Sequence, residues 1–112
     1  MKNKNKKTLP KLYFYLFTFW VTSIIRYAQV GLSGIMIEDQ VSPKRCGHTK
    51  GKMVVDRDEA YRRIKAAVDA RDQGQDIVIL ARTDARSTHG IEEAIERCKM
   101  FRKLGYYTYS II

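Results

Sequence analysis

The run KRCGH at residues 44–48 is the part of this sequence best suited to chemistry, because it places one thiol among several cations. Positive charge nearby stabilises a thiolate and lowers the pKa of the thiol, so Cys46 is a candidate nucleophile or proton donor. His48 could add charge or transfer a proton, and Gly47 allows a ligand to approach the backbone closely. From the chemistry alone, a solvated basic loop with an incidental cysteine is an equally good interpretation.

Charged side chains also stand at the ends of two apolar runs. Glu38 and Asp39 close the first run, and a carboxylate there could hold a divalent cation directly or through water. The alternative is that these carboxylates cap nearby backbone amides. Arg82 closes the second run, where a guanidinium is suited to bidentate binding of a substrate carboxylate. Its alternative is an ion pair with Asp84 or Glu38, and Asp84 itself is interpreted as a structural turn residue.

The two apolar runs, Gly34–Ile37 and Ile77–Ala81, predict buried strands, and a helical pattern follows each of them. The first helix begins at Asp56, with Glu59 three residues later in a capping-box arrangement. The pattern recurs at helical spacing, with small and apolar residues inward and an arginine at the end: Ala60, Ile64, Ala67, Val68 and Arg71.

The second helix is predicted from Ile91 to Leu104, with Gly105 following it. Glu93 and Arg97 are expected to pair on its outer side. Its apolar face consists of Ile91, Ala94, Ile95, Cys98 and Phe101, so Cys98 is expected to behave as a small hydrophobe. Strands that alternate with helices predict an α/β fold, with a parallel sheet covered by helices.

The first 26 residues differ from the rest. Leu12–Ile25 is apolar and uncharged, but it is short for a membrane span, which needs about 20 residues. A signal peptide fits the lysine-rich start, yet no small-residue cleavage site follows. A buried helix or strand, or a mis-assembled N-terminus, is the favoured interpretation, and membrane association is not expected.

Charge and cysteine content narrow the function class. Six basic residues and no acidic one precede Glu38, so that segment contributes +6 of the net charge of +9. A nucleic-acid interface should instead form a basic stripe across the folded part, so nucleic-acid binding is not expected. Two cysteines are too few for a disulfide framework. They predict reduced thiols in an intracellular protein, either cytoplasmic or mitochondrial.

The combination of IEDQ, KRCGH and, about 35 residues later, ARTDA closely resembles the isocitrate lyase/phosphoenolpyruvate mutase superfamily, nearest to the 2-methylisocitrate lyase-like proteins. The resemblance covers residues 27–105. It implies a (β/α)8 TIM barrel that uses Mg²⁺ to hold a small carboxylic-acid substrate, and a homo-oligomer for the full-length parent. Such a barrel has eight strands and about 250 residues. We therefore expect a partial barrel of about two β/α units with a divergent N-terminal segment.

The resemblance also implies roles for individual residues. Cys46 would be the acid/base that protonates the carbanion-like product, with Lys44 and His48 as catalytic neighbours on the same loop. Gly47, Arg82 and Cys46 would bind substrate, and Glu38 would lie near the metal, reaching it through water.

The chain departs from the family at both ends. Residues 1–26 contain no aspartate-rich metal motif, and residues 106–112 do not form an apolar strand that ends in glutamate. We therefore expect a divergent N-terminal segment, a partial isocitrate lyase-like domain over 27–105, and a divergent tail. The expected function is a fragment of a Mg²⁺-dependent lyase. By retro-aldol chemistry it would cleave a 2-methylisocitrate-like acid to an α-keto acid and a dicarboxylate, with little activity alone.

Three other functions remain open. The parent could cleave oxaloacetate or 2,3-dimethylmalate within the same superfamily. Alternatively, the chain could be a non-catalytic remnant that associates with full-length relatives, or a small basic protein anchored in a membrane by Leu12–Ile25.

Overall fold

The computed structural model describes residues 11–41, 51, 53–105 and 108–111, with side chains described for 18–41, 51 and 53–105. A three-stranded parallel sheet forms its centre, and its strands lie side by side in chain order. The strands are β1 (Gly34–Glu38), β2 (Val78–Thr83) and β3 (Thr108–Ile111). The helices are α1 (Lys11–Gln29), α2 (Arg57–Asp72), α3 (Ala85–His89) and α4 (Ile91–Lys103).

The two faces of the sheet have different environments. Ile37, Ile79 and Ala81 are fully buried and belong to the hydrophobic core beneath the helices. Met36 and Val78 alternate with them and are about half exposed, each at 51%. Successive side chains of a strand point to opposite faces of the sheet. Every second residue of β1 and β2 therefore lies on the uncovered face.

The predicted first helix is confirmed, including its start. Asp56 is the N-cap of α2, and its carboxylate accepts a hydrogen bond from the backbone N–H of Glu59 at 2.8 Å. The Glu59 carboxylate itself accepts from Arg63. The predicted inward face is buried at Ala60, Ile64, Ala67 and Val68.

The apolar N-terminal run forms part of α1, which packs against α2. Ile24 is fully buried, and Trp20, Val21, Ile25 and Ala28 pack against the core. The favoured interpretation, a buried helix, therefore holds for this face of α1, while Phe19 is 61% exposed. None of the four helices among the described residues combines the length and hydropathy needed to span a bilayer.

The predicted face of α4 is partly wrong. Ala94, Cys98 and Phe101 are buried as expected, but Ile91 and Ile95 are 48% and 41% exposed. Arg97 does pair with Glu93 at 3.0 Å, yet it is buried rather than on the outside, with only 3% of its side chain exposed. The helix turns its face toward a buried carboxylate, which is described below.

Two short elements were not predicted. The tail at 108–111 forms β3 beside β2, so the sheet has a third parallel strand in addition to the two expected. A single helical turn, α3, separates β2 from α4. Gly90 at φ 92° joins α3 to α4, and Gly105 at φ 98° follows the end of α4, as the C′ assignment predicted.

Candidate functional site

Glu38 and Arg82 lie side by side at the carboxyl edge of the sheet. The parallel register pairs these two residues directly, and the Nε of Arg82 is 3.5 Å from the Oε2 of Glu38. Both side chains are largely covered, at 14% and 17% exposure. They follow Met36 and Leu80 at the alternating positions of their strands, so they lie on the uncovered face.

Asp84 holds the guanidinium of Arg82 by one edge. The Nε and Nη2 of Arg82 donate to the two carboxylate oxygens of Asp84, at 3.0 and 3.3 Å. The side-chain amide of Gln40 donates to the same carboxylate. The ion pairs that the sequence left open as alternatives for Arg82 are therefore both present. Nη1 of Arg82 makes no hydrogen bond within the described ranges, so one edge of the guanidinium remains available.

Asp39 lies on the opposite side of the sheet from its neighbour Glu38. Its carboxylate is 1% exposed and accepts hydrogen bonds from the Thr83 hydroxyl, the backbone N–H of Asp84 at 3.0 Å and Nη1 of Arg97 at 3.1 Å. The capping interpretation is therefore the one that the structure shows for Asp39. A carboxylate occupied in this way organises the sheet edge.

The two segments that flank the candidate catalytic loop are joined by backbone hydrogen bonds. Gln40 and Val54 form an antiparallel bridge, Val41 N–H donates to the carbonyl of Met53, and Val55 N–H donates to the carbonyl of Asp39, both at 2.8 Å. We call these two segments the loop stems, residues 39–41 and 53–55. The four predicted loop residues between the stems lie outside the described residues: Lys44, Cys46, Gly47 and His48.

Arginines from two helices contact the stems. Nη1 of Arg63, on α2, donates to the carbonyl of Gln40 at 2.9 Å. Nη1 of Arg97, on α4, donates to the carbonyl of Val55 at 2.7 Å in addition to its bond with Asp39. Backbone carbonyls at strand ends otherwise need water or other partners, so these bonds satisfy them within the protein.

Glu93 completes the group around Arg97. It accepts from Arg57 on its solvent side and from Arg97 on its buried side. The hydrogen bonds from Arg57 are the main cause that lowers the pKa of Glu93 to about 2, with those from Arg97 adding to the effect against burial. Glu93 is therefore ionised at neutral pH.

Cys98 is part of the packing, as predicted. Its side chain is buried at 4% exposure, and burial, with a smaller contribution from the charge of Asp39, raises the pKa of the thiol to about 11. A neutral, covered thiol reacts slowly. Of the two cysteines, Cys98 therefore has the environment of a core residue.

The carboxylates of the described residues do not form a metal site by themselves. Within 11–41, 51, 53–105 and 108–111 there is no group of three or more histidine, cysteine, aspartate or glutamate residues placed to hold a metal ion. The carboxylates of Asp39 and Asp84 accept hydrogen bonds from donors within the protein. Glu38 is the acidic residue of this edge that faces the uncovered side.

Sequence reasoning missed Arg97 and Gln40. Arg97 looked like half of an exposed helical pair because its partner Glu93 lies four residues earlier. The available signal was its position between Ala94 and Cys98, which places it beside the buried face at helical spacing. Gln40 carried no signal, because nothing in a single sequence shows that its amide meets Asp84.

Two curated relatives resemble the central part of the chain. The 2,3-dimethylmalate lyase of Eubacterium barkeri is 46% identical over 83 residues, and the 2-methylisocitrate lyase of Shewanella oneidensis is 47% identical over 83 residues. Each match covers 74% of this chain and 28% of the relative. The chain thus spans under a third of the length of these curated relatives.

A solved structure and a family model agree with this similarity. The structure of oxaloacetate acetylhydrolase in complex with 3,3-difluorooxalacetate superimposes with a TM-score of 0.82 at 40% identity, covering 85% of this chain and 32% of that one. The phosphoenolpyruvate phosphomutase family model matches residues 20–108, which include β1, β2 and all helices after α1. The chain therefore belongs to the phosphoenolpyruvate mutase/isocitrate lyase superfamily, and its sheet is part of a TIM-barrel-type fold.

Proposed function

We propose that this chain carries part of the active site of a carbon–carbon lyase that cleaves a 2-methylisocitrate-like acid to an α-keto acid and a dicarboxylate. The observation that supports it most is Arg82, whose guanidinium is fixed by Asp84 at the carboxyl edge of the sheet. α/β barrels place their chemistry at this edge. Relatives named 2-methylisocitrate lyase and 2,3-dimethylmalate lyase are 47% and 46% identical to the central part of the chain.

Arg82 is proposed to bind a substrate carboxylate. Asp84 occupies Nε and one hydrogen of Nη2, which leaves the Nη1–Nη2 edge for a second, bidentate partner. Because Asp84 fixes the plane of the guanidinium, a bound carboxylate would be held in one orientation. Retro-aldol cleavage needs this orientation, since the bond that breaks must stay aligned while charge develops on the departing carbon.

The charge at this edge explains why other groups are required. Arg82 contributes +1, while Glu38 and Asp84 contribute −1 each, so the three together carry −1. A substrate with two or three carboxylates would be repelled by this net charge unless further cations approach. The basic residues at 44–52, which follow the first loop stem in the sequence, are proposed to supply this further positive charge.

The proposed catalytic and binding residues are Cys46, Lys44, His48 and Gly47, together with Arg82. Cys46 would hold and deliver the proton that the carbanion-like product takes up, and Lys44 and His48 would set its charge state. Gly47 would bind substrate through its backbone. Mg²⁺ is implied by the family, and a bound Mg²⁺ would supply Lewis-acid stabilisation of developing negative charge. Glu38 would contact it through water, as the family resemblance implies, together with ligands outside the described residues.

The role of Arg82 can be tested in a chimera. Residues 34–105 of this chain would replace the corresponding segment of the Shewanella oneidensis 2-methylisocitrate lyase. We expect the chimera to turn over 2-methylisocitrate, 2,3-dimethylmalate or oxaloacetate, and Arg82→Met to lower kcat/KM by at least about 100-fold, as for a lost bidentate contact. Arg102→Met, an exposed cation on α4, is the matched control. Equal activity of the two variants would contradict the proposal.

The chain alone is expected to turn over little, because the site is completed by cations and ligands beyond the described edge. This is measured with the purified chain, Mg²⁺ and each of the three acids, by enzymatic detection of the α-keto acid. Cleavage of 2-methylisocitrate by the purified chain at an ordinary enzymatic rate would contradict this expectation.

A non-catalytic role is the second candidate, and the uncovered face of the sheet favours it. Met36 and Val78 are half exposed there, and the part of the chain that matches a relative covers under a third of that relative's length. A full-length relative could bury this face by association. Co-purification with tagged full-length relative, lost in Met36→Lys, would support this function, and its absence would leave the lyase proposal alone.

A further inference from the structure

Arg97 has an unusual environment for a helical arginine. Its side chain is 3% exposed, and it donates hydrogen bonds to three acceptors among the described residues. These are the carboxylates of Asp39 and Glu93 and the backbone carbonyl of Val55. Moving a guanidinium out of water is costly unless every contact is good. An apolar residue would have filled this position of α4 beside Ala94 and Cys98 without that cost. The feature that distinguishes Arg97 from an apolar residue at this position is therefore its set of hydrogen bonds.

The acceptors of Arg97 belong to both loop stems. Nη1 donates at 3.1 Å to the Asp39 carboxylate on the first stem and at 2.7 Å to the Val55 carbonyl on the second. The stems are also bonded to each other, because the Asp39 carbonyl accepts from the Val55 N–H. One nitrogen atom thus ties α4 to both ends of the segment that contains Cys46.

The same carboxylate connects Arg97 to the candidate substrate-binding arginine. Asp39 accepts the backbone N–H of Asp84 at 3.0 Å and the hydroxyl of Thr83. Asp84 in turn holds Arg82 through two hydrogen bonds. The path from Arg97 to Arg82 therefore passes through two carboxylates, each of which is 2% exposed or less.

We infer that Arg97 is a positioning residue. Its hydrogen bond to Asp39 sets, by way of Asp84, the plane of the Arg82 guanidinium. Its hydrogen bonds to Asp39 and to the Val55 carbonyl set the distance between the loop stems. This inference rests on the proposed function for its catalytic meaning. Arg97 touches neither substrate nor reacting atoms, so its removal should change the geometry of Arg82 at a distance while the helical core remains folded.

The test uses the full chain labelled with ¹⁵N, and it follows the Arg82 Nε–H resonance and the exchange of backbone amides. In Arg97→Met we expect the Arg82 Nε–H resonance to shift or broaden. The amides of Val55 and Asp84 should exchange at least about tenfold faster, as for local opening. The amide of Ile64 in α2 should be accelerated by a clearly smaller factor than either of these.

Arg57→Met is the matched control. Arg57 also bonds Glu93, but from the solvent side, with 54% of its side chain exposed. It should leave the Arg82 resonance and the Asp84 amide unchanged. Arg97→Lys, which keeps the buried charge but has a single donor group, should give the Arg97→Met pattern at lower amplitude. It also serves as the test variant if Arg97→Met does not fold.

Two results would overturn the inference. One is an Arg82 resonance and an Asp84 amide that respond alike in the Arg97 and Arg57 variants. The other is equal acceleration of all amides, including Ile64, which would mean that Arg97 supports global stability only. Neither measurement needs turnover. An inactive chimera with the expected exchange pattern would therefore reject the proposed function alone, and an active one without that pattern would reject the inference alone.

Discussion

The two cysteines should differ in reactivity, and the structure gives the size of the difference. With a pKa of about 11, Cys98 is ionised to about one part in a thousand at pH 8, whereas a cysteine with the ordinary pKa of about 8.5 is about one-quarter ionised. The ratio of thiolate is therefore about 200. A thiolate of higher pKa is intrinsically more nucleophilic, which returns roughly a factor of 10. Ionisation alone thus slows Cys98 by about 20-fold, and its burial slows it further.

Alkylation of the folded chain with iodoacetamide between pH 6 and 9 measures this difference. Peptide mass spectrometry then follows the two sites separately. We expect Cys46 to react at least about 20-fold faster than Cys98 at pH 8. We also expect its rate to reach half of its maximum below pH 8.5, since the cations of its loop favour the thiolate.

The same reaction in guanidinium chloride is the control. Unfolding removes the burial of Cys98, so the two rates should converge to within a few-fold. Comparable rates in the folded chain would refute the burial argument for Cys98. A Cys46 profile with its midpoint at or above pH 8.5 would refute the argument that the basic loop activates this thiol.

Three further predictions concern stability, each measured by urea unfolding. Asp39→Ala should lower the free energy of unfolding by about 3–5 kcal/mol, because it leaves Arg97 buried without its counter-charge. Asp39→Asn should lower it less, because the amide keeps an acceptor oxygen. Equal losses in the two variants would contradict this. The pKa of Glu93 is depressed to about 2 in the folded state, so its stabilisation is complete above about pH 4.5 and is lost as the pH falls from there toward 2; Glu93→Gln should reduce this acid dependence, with Arg57→Met reducing it in part. Phe101→Ala should cost about 3–5 kcal/mol, since the ring is fully buried, and a cost below about 1 kcal/mol would show that the core closes around the space.

The elements with a strong local signal were predicted correctly from the sequence. Asp56 and the spacing of Ala60, Ile64 and Val68 predicted α2 with its cap, and the apolar run before Arg82 predicted β2. The third strand was missed because TYSI is only four residues long and lacks the apolar run ending in glutamate that the resemblance led us to expect, although its alternation fits a strand. It forms a strand because a neighbour, β2, offers it a ladder of hydrogen bonds.

The candidate site was predictable only in part. That Glu38 and Arg82 share one edge follows from parallel strands whose carboxyl ends point the same way, and the structure brings them together. The position of Arg97 beside Ala94 and Cys98 was a signal for its burial, but its partner was not predictable, because Asp39 is 58 residues earlier in the chain. Long-range polar pairs leave no periodic trace, so a single sequence contains no pattern that would reveal them.

The pairing of Glu38 with Arg82 has a consequence for how insertions and deletions are tolerated. The alternation that turns these two charges toward one side is the same alternation that turns Ile37 and Ala81 toward the other. A one-residue slip of β2 would bring a hydroxyl, that of Thr83, to the charged position and would expel aliphatic side chains from the interior. Changes of chain length are therefore expected only outside the two strands. A one-residue shift of register within either strand would displace the charged pair and expose core side chains at the same time.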